Sequence, residues 1–291
     1  MTLETAAGKI GRGAVAGTAA RTDCGLLRTV NEDAVLLRAW PGNPEAILAV
    51  VVDGMGSYGG GDAASAIAVD AFAELLGEPL PANPVARCEA LLGAFYAADD
   101  RIREAGGRQF PEMGATAVAA IVTPGELVHL YAGDCRLYVM RGGDIVYKTH
   151  DHSAVQVLLD SGRISEEEAR GHQMRHLVTS CLGGPNVIGR LTIDPPMWVD
   201  SDGEAEWTEG PFLKTHGDDR IILCSDGLWA ELEDEVLLSA HDRHKNFADA
   251  GALVDECIEL ANQAGGSDNI SIIAISGDLR ANQCAAGPAR E

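Results

Sequence analysis

The segment AVVVDGMGSYGGGDAAS, residues 49–65, decides how this chain reads. Gly54, Gly56 and Gly59 stand in a G-x-G-x-x-G frame after an apolar run and before a helix-like stretch, as in a dinucleotide-binding turn. Asp53 argues against that use. A carboxylate at the strand tip, just before the first glycine, repels a pyrophosphate and asks for a positive partner instead. The dinucleotide fold also requires a second strand ending in an acid about 20 residues past the glycines. The nearest acid, Glu74, falls inside a helical pattern. The glycines therefore read as room for the backbone to fold around cations.

A chain of 291 residues accommodates one large domain or two small ones, with a substantial core in either case. Its formal net charge of -22 opposes a nucleic-acid partner, which needs a concentrated positive surface, and opposes anionic membranes equally. No apolar run approaches a membrane span, and MTLETAAGKIGRG lacks the apolar centre of a signal peptide, so a cytoplasmic chain is expected. The seven cysteines are scattered with no C-x-x-C pair, which suggests neither a disulfide framework nor a zinc site.

Runs rich in Val, Ile, Leu and Ala predict strands near 14–21, 33–39, 46–52, 115–122, 126–132, 135–140, 190–194, 219–224 and 269–276. Apolar positions recurring at three and four predict helices over 61–76, 83–105 and 247–265. The stretch LVHLYAGDCRLYVMRGGDIVYKTHD reads as a meander with turns at Gly133-Asp134 and Gly142-Gly143. Two successive helices followed by such strands do not make a βαβ repeat. Mainly antiparallel sheets covered by helices are expected.

Acids gather at strand ends. AILAVVVDG closes on Asp53-Gly54, RIILCSDG closes on Asp226-Gly227, Asp268 stands just before NISIIAI, and Asn31-Glu32-Asp33 precedes another strand. Each borders a segment expected to be buried, where lone carboxylates are rare. Taken singly, a D-G pair is most often an ordinary turn and an N-E-D run a solvated loop. Were these groups to converge, each pair would repel by about 4 kcal/mol at roughly 4 Å and an effective dielectric of about 20. Divalent cations relieve that cost, and an oxygen-only ligand set suits Mg²⁺ or Mn²⁺ better than Zn²⁺.

Six segments in order, RTDCGLLRTVNED (21–33), VVDGMGSYGGGDAAS (51–65), GATAVAAIV (114–122), LYAGDCRLYVMRGGDIVYKTHDHS (130–153), IILCSDGLW (221–229) and SDNISIIAI (267–275), resemble the motifs of the metal-dependent protein phosphatase 2C family, most closely its bacterial branch. The resemblance implies an α+β fold, a four-layer αββα sandwich of two mainly antiparallel sheets flanked by helices. It implies a catalytic domain over 13–276 with a flap at 154–184, an N-terminal extension over 1–12 and a C-terminal tail over 277–291. It further implies a Mn²⁺- or Mg²⁺-dependent phosphatase of phosphoserine and phosphothreonine, acting without a covalent phosphoenzyme, opposite a Ser/Thr kinase and as a monomer. Asp53 then bridges two metal ions, Gly54 offers its carbonyl, Asp226 and Asp268 are direct ligands, and Glu32 and Asp33 reach the ions through water. Arg28 matches the phosphate-binding arginine, whose fork suits a phosphoryl group. Asp134 falls where many bacterial relatives hold a third metal.

The chain departs from the bacterial pattern at Ser57, Tyr58, Asp62 and Cys135, none of them a metal ligand in the family. Met55 stands where animal members carry a His proposed as general acid, and His152 matches a motif expected to be structural, at the base of the flap. Two rival readings keep the fold: a phosphoprotein-binding module with little turnover, and a phosphatase of one regulator such as an anti-sigma or secretion-system protein.

Overall fold

Side-chain alternation with a period of two builds the centre of the molecule. The computed structural model describes residues 17–56, 60–108, 110, 112–184, 191–194, 197–199, 205–207, 212–245, 249–277 and 279. Ser57, Tyr58, the 1–12 extension and nearly all of the 277–291 tail lie outside them.

In chain order the strands are β1 Thr18–Asp23, β2 Asp33–Trp40, β3 Asn43–Met55, β4 Gly114–Thr123, β5 Glu126–Ala132, β6 Arg136–Arg141, β7 Asp144–Lys148, β8 Met197–Val199, β9 Ala205–Trp207, β10 Leu213–Lys214, β11 Arg220–Cys224 and β12 Ile270–Ser276. The helices are α1 Gly60–Ala73, α2 Pro84–Gly106, α3 Ala154–Asp160, α4 Glu166–Arg170, α5 Asp226–Trp229, α6 Asp234–Arg243 and α7 Ala250–Ala264. One five-stranded sheet runs β1-β12-β11-β6-β7, a second runs β10-β5-β4-β3-β2, and β8 pairs β9. Every pairing between these strands is antiparallel.

On β3, Ile47, Ala49 and Val51 join Val118 and Ala120 of β4, Ile221 and Leu223 of β11 and Ile273 and Ile275 of β12 in one cluster between the two sheets. The alternate residues Leu48, Val50 and Val52 pack outward against Phe72 of α1 and Leu91 and Phe95 of α2. On the far side, Ile222, Cys224, Ile272 and Ala274 pack against Leu237 of α6 and Leu253, Val254 and Cys257 of α7. The result is the four-layer αββα sandwich expected. Helix starts follow local chemistry: Asn83 caps α2 by accepting from Ala86 N at 2.9 Å, with Pro84 in its first turn. Ser165 and Glu168 form the reciprocal capping box that opens α4.

Three expectations need correction. Gly133-Asp134 is no hairpin turn, because β5 and β6 belong to different sheets and the chain crosses there from one to the other. Gly133 takes φ +103 against the Thr116 side chain, a tight passage that favours glycine. Gly142-Gly143 does turn β6 into β7. Residues 191–194 form no strand beyond an isolated bridge of Asp194 to Tyr131. The helix expected over 61–76 gives way after Ala73 to a 3-10 turn at Glu74–Gly77. The six described cysteines are free thiols. Among the described residues no helix is long and apolar enough to cross a membrane.

Candidate metal centre

At one end of the sandwich the in-facing positions change from apolar to polar. β2 carries Val35, Leu37 and Ala39 between the sheets and begins, in the same parity, at Asp33. β3 carries Ile47, Ala49 and Val51 and continues to Asp53. β11 carries Ile221 and Leu223 and is followed by Ser225; β12 reaches Ile273 and Ile275 from Ser271. Asp33 and Asp53 are direct cross-strand neighbours, and Thr116 faces Asp53 from β4. Facing carboxylates oppose strand pairing unless something compensates them. Asp134 arrives on the crossover between sheets, Asp226 opens α5 directly after β11, and Asp268 stands just ahead of β12.

The electrostatics follow from that convergence. Burial, then the charges of Asp226, Asp33, Asp134 and Asp268, hold the Asp53 carboxyl well above the ordinary range. Burial pushes Asp33 up to about 8 against the pull of hydrogen bonds from Ser271 and Ser225, with Asp226 and Asp268 adding repulsion. Asp134 is raised by burial, Asp226 and Asp151, and relieved in part by Arg136. Asp226 is raised by burial and Asp268, and relieved in part by a hydrogen bond with Asp53. Five acids from distant parts of the chain therefore act on one another, and without cations protons carry part of the load.

Protein groups compensate the rest. Arg28 donates to Asp268 at 2.6 Å from a half-exposed position. Ser225 Oγ donates to Asp33 Oδ2 at 2.7 Å, while Asp33 Oδ1 is buried with no hydrogen-bond partner. Glu32 sits at the margin, its carboxyl raised by burial and lowered by Arg28, with Asp62 and Asp268 nearby. Gly54 donates its N–H to Glu32 O at 3.1 Å. A Cβ on Gly54 would lie 1.9 Å from the Gly61 carbonyl oxygen, and one on Gly61 would lie 2.5 Å from Glu32 Oε1. Here the glycines serve close backbone approach beside the acids. All eight residues singled out in the sequence thus lie at this end of the sandwich or on its rim.

Asn269, Trp229 and Arg136 buttress the acids and went unnoticed in the sequence, whereas His152 was anticipated. Asn269 accepts from Glu32 N at 2.8 Å and donates to the Cys24 and Val30 carbonyls, both at 3.0 Å. Trp229 Nε1 donates to the Asp134 carbonyl at 2.8 Å, and the Arg136 guanidinium lies 3.7 Å over the Trp229 ring while pairing with both oxygens of Asp151. His152 donates its backbone N–H to Gly133 O at 2.9 Å and accepts Gly133 N–H on Nδ1 at 3.2 Å, so its proton sits on Nε2, facing Asp194 at 3.1 Å. The structural role expected of His152 fits this contact. Strand parity was the available signal for Ser225, Ser271 and Thr116, each being the next in-facing position after an apolar series.

Do these residues suit divalent ions? Among the described residues no three His, Cys, Asp or Glu side chains already form a metal cage. The reason is visible in the bonds above: Arg28 holds Asp268, Ser225 holds Asp33, and Asp226 leans on Asp53. The donors nevertheless fit hard cations, being oxygen only, in excess of negative charge, and including the orphaned Asp33 Oδ1. Cys135, the thiol beside Asp134, bonds to Thr116 and is pushed up by burial and by the Asp53 charge, which makes it neither a thiolate ligand nor a nucleophile.

A family model described as protein phosphatase 2C matches residues 28–256. The serine/threonine protein phosphatase PstP of Mycobacterium tuberculosis is 31% identical over 255 residues, 88% of this chain and 44% of that protein. The chain thus spans less than half the length of that relative. The serine/threonine phosphatase stp of Listeria monocytogenes is 29% identical over 265 residues, 89% of this chain and 95% of that protein. The crystal structure of the Mycobacterium tuberculosis PstP superposes with a TM-score of 0.72 at 30% identity, covering 88% of this chain and 96% of that one. A PstP catalytic domain in complex with two manganese ions superposes at 0.68 with 30% identity and the same coverage.

Proposed function

Since the chain belongs to the protein phosphatase 2C family, we propose that it is a Mn²⁺- or Mg²⁺-dependent phosphatase that hydrolyses phosphoserine and phosphothreonine in other proteins. The observation carrying this reading is the meeting of Asp33, Asp53, Asp134, Asp226 and Asp268 at one sandwich end, with Arg28 beside them. The two manganese ions bound by the PstP catalytic domain support the same chemistry.

Asp53, Asp226 and Asp268 would hold two cations with the Gly54 carbonyl, Glu32 and Asp33 would orient the surrounding water, and Asp134 would take a third, weaker ion. When bound, such a pair supplies an activated water in line with phosphorus and positive charge for the phosphoryl oxygens. The chain's own part is positional. Asp53 sits between Asp33 and Thr116 in the sheet, so the backbone ladder fixes its carboxylate. Arg28, which pairs with Asp268 at 2.6 Å, would offer its planar fork to two phosphoryl oxygens of a bound substrate. Buried Ser225 holds Asp33 by donating to its Oδ2 at 2.7 Å, and Ser225 is itself held by accepting from Ser271 N at 2.9 Å.

In this reading residues 13–276 are the catalytic domain and 154–184 a flap beside the acids, with 1–12 and 277–291 as extension and tail. A Ser/Thr kinase would oppose the enzyme in cytoplasmic signal transduction, and it would act as a monomer. The test is phosphate release from phosphoserine and phosphothreonine peptides. Turnover is expected with Mn²⁺ and none after EDTA, with recovery on adding the metal back. Turnover indifferent to chelation would exclude the cation mechanism. No turnover on any phosphopeptide, with Mn²⁺ binding intact, would favour a binding module.

A further inference from the structure

The rim of the acidic site is apolar on two sides. The loop from Cys24 to Val30, which carries Arg28, leaves Leu26 65%, Leu27 72% and Val30 52% exposed. This loop is nevertheless firmly seated. Leu26 and Leu27 N–H both donate to Gly266 O, at 2.8 and 3.3 Å, and Asn269 Nδ2 reaches the Cys24 and Val30 carbonyls. Gly25, at φ +72, passes so close to Asp268 that a Cβ there would lie 2.1 Å from its carbonyl oxygen. Backbone bonds and one glycine hold the loop, so its stability does not call for three large apolar side chains facing water.

The 154–184 segment, seated beside Gly133-Asp134, does the same. Met174 and Leu177 are 38% and 53% exposed, and their segment is tied to the acids' end through His152, whose N–H donates to Gly133 O beside Asp134 at 2.9 Å and whose carbonyl accepts from Thr179 N at 2.7 Å. Leu177 is likewise pinned, donating its N–H to Met174 O at 3.0 Å and accepting from Ala154 N at 2.8 Å. The site therefore carries exposed apolar side chains from both segments above a floor of carboxylates, in a chain of net charge -22. An acidic segment would be repelled here. An apolar one would find partners on both sides.

We propose that Leu26, Leu27 and Val30 on one side, and Met174 and Leu177 on the other, form two lips that grip the substrate polypeptide, so that the preferred phosphosites carry large apolar residues within about three positions of the phosphorylated residue, the reach of about 10 Å of extended chain, and lack acids there. The proposal rests on the phosphatase reading above and names its substrate class. The occupant is an extended segment of another protein.

The test compares two phosphothreonine peptides of one sequence, with leucines or aspartates flanking the phosphorylated residue, on the full chain with Mn²⁺. Wild type is expected to favour the leucine peptide in kcat/KM by about tenfold or more, the scale of one buried leucine. In the Leu26→Ser/Leu27→Ser double variant, and independently in Leu177→Ser, that ratio is expected to fall several-fold. Each variant is first shown to melt as the wild type does, so that the ratio, whether it falls or holds, reports on the lips and not on folding. Equal kcat/KM for the two peptides, or an undiminished ratio in both variants, would overturn the proposal while the phosphatase reading stands. Wild type that turns over neither peptide nor p-nitrophenyl phosphate would overturn both. A dimer in sedimentation that the double variant dissociates would also overturn it, by making a second copy of the chain the occupant.

Discussion

Asp53→Asn is expected to reduce Mn²⁺-dependent phosphate release by about 10³-fold or more, about 4 kcal/mol of transition-state stabilisation, while leaving the metal-free protein at least as stable as wild type. The two effects share one cause. Asp53 is raised well above its ordinary range by burial and by four neighbouring acids, so the folded protein holds it at a cost. Asparagine keeps the shape and the strand pairing with Asp33 and Thr116 but removes the charge. Repulsion among the remaining acids falls, and so does the attraction that would hold two cations. Functional sites commonly carry such opposed effects on stability and activity. Phosphate release and thermal melting, each with and without Mn²⁺, measure both. A variant that keeps its turnover, or that still gains the wild-type Mn²⁺ stabilisation, would contradict the role given to Asp53.

Metal-free protein is expected to lose stability as pH rises from 6.5 to 8, and Mn²⁺ is expected to reverse the trend. Asp33 is pushed up to about 8 in the fold from an unfolded value of 3.8. Below about pH 4 the carboxyl is protonated in both states. As pH rises, the unfolded chain gives up the proton first, so Asp33's contribution is lost progressively until the folded form also ionises near 8. Asp53, Asp134 and Asp226 are shifted in the same direction. Over 6.5–8 Asp33 alone accounts for on the order of 2 kcal/mol, or about 5 °C in Tm.

His129 defines the opposite limb. Sealed among Tyr131 and Tyr147 with neither ring nitrogen hydrogen-bonded, it is pushed down to about 3 by burial. The unfolded chain gains that proton first on acidification, so His129's contribution is lost as pH falls from 6.5 towards 3 and is silent above 6.5. Cations require the carboxylates ionised, so saturating Mn²⁺ strengthens with pH and adds about 4 kcal/mol at a thousandfold excess over Kd. Asp33→Asn is expected to flatten the metal-free slope. A slope equally steep in that variant would assign it to general charge repulsion instead.

Much of this was legible in the chain because burial and chemistry leave local traces. The runs 46–52, 115–122 and 219–224 announce buried strands by composition, and Asp53, Asp226 and Asp268 announce themselves by standing where such runs end. Gly133-Asp134 misled because a hairpin turn and a crossover between sheets need the same short, glycine-bearing tetrad; only the partners of β5 and β6 tell them apart. α5 and α6 escaped because four and ten residues leave too few turns for a helical period to register. The pairing of Arg28 with Asp268, 240 residues away, and the hold of Trp229 on Asp134 have no local signature at all. They exist only once the sheets are stacked.

Anomalous diffraction at the manganese edge from Mn²⁺-soaked crystals would show whether these acids, remote in sequence, hold a pair of divalent ions. Two peaks roughly 4 Å apart, with the Asp53 carboxylate between them and Asp226 and Asp268 within bonding distance of one, are the expected result. Density for manganese only at sites remote from Asp53, or none at the end of the sandwich, would mean that these acids do not hold the ions.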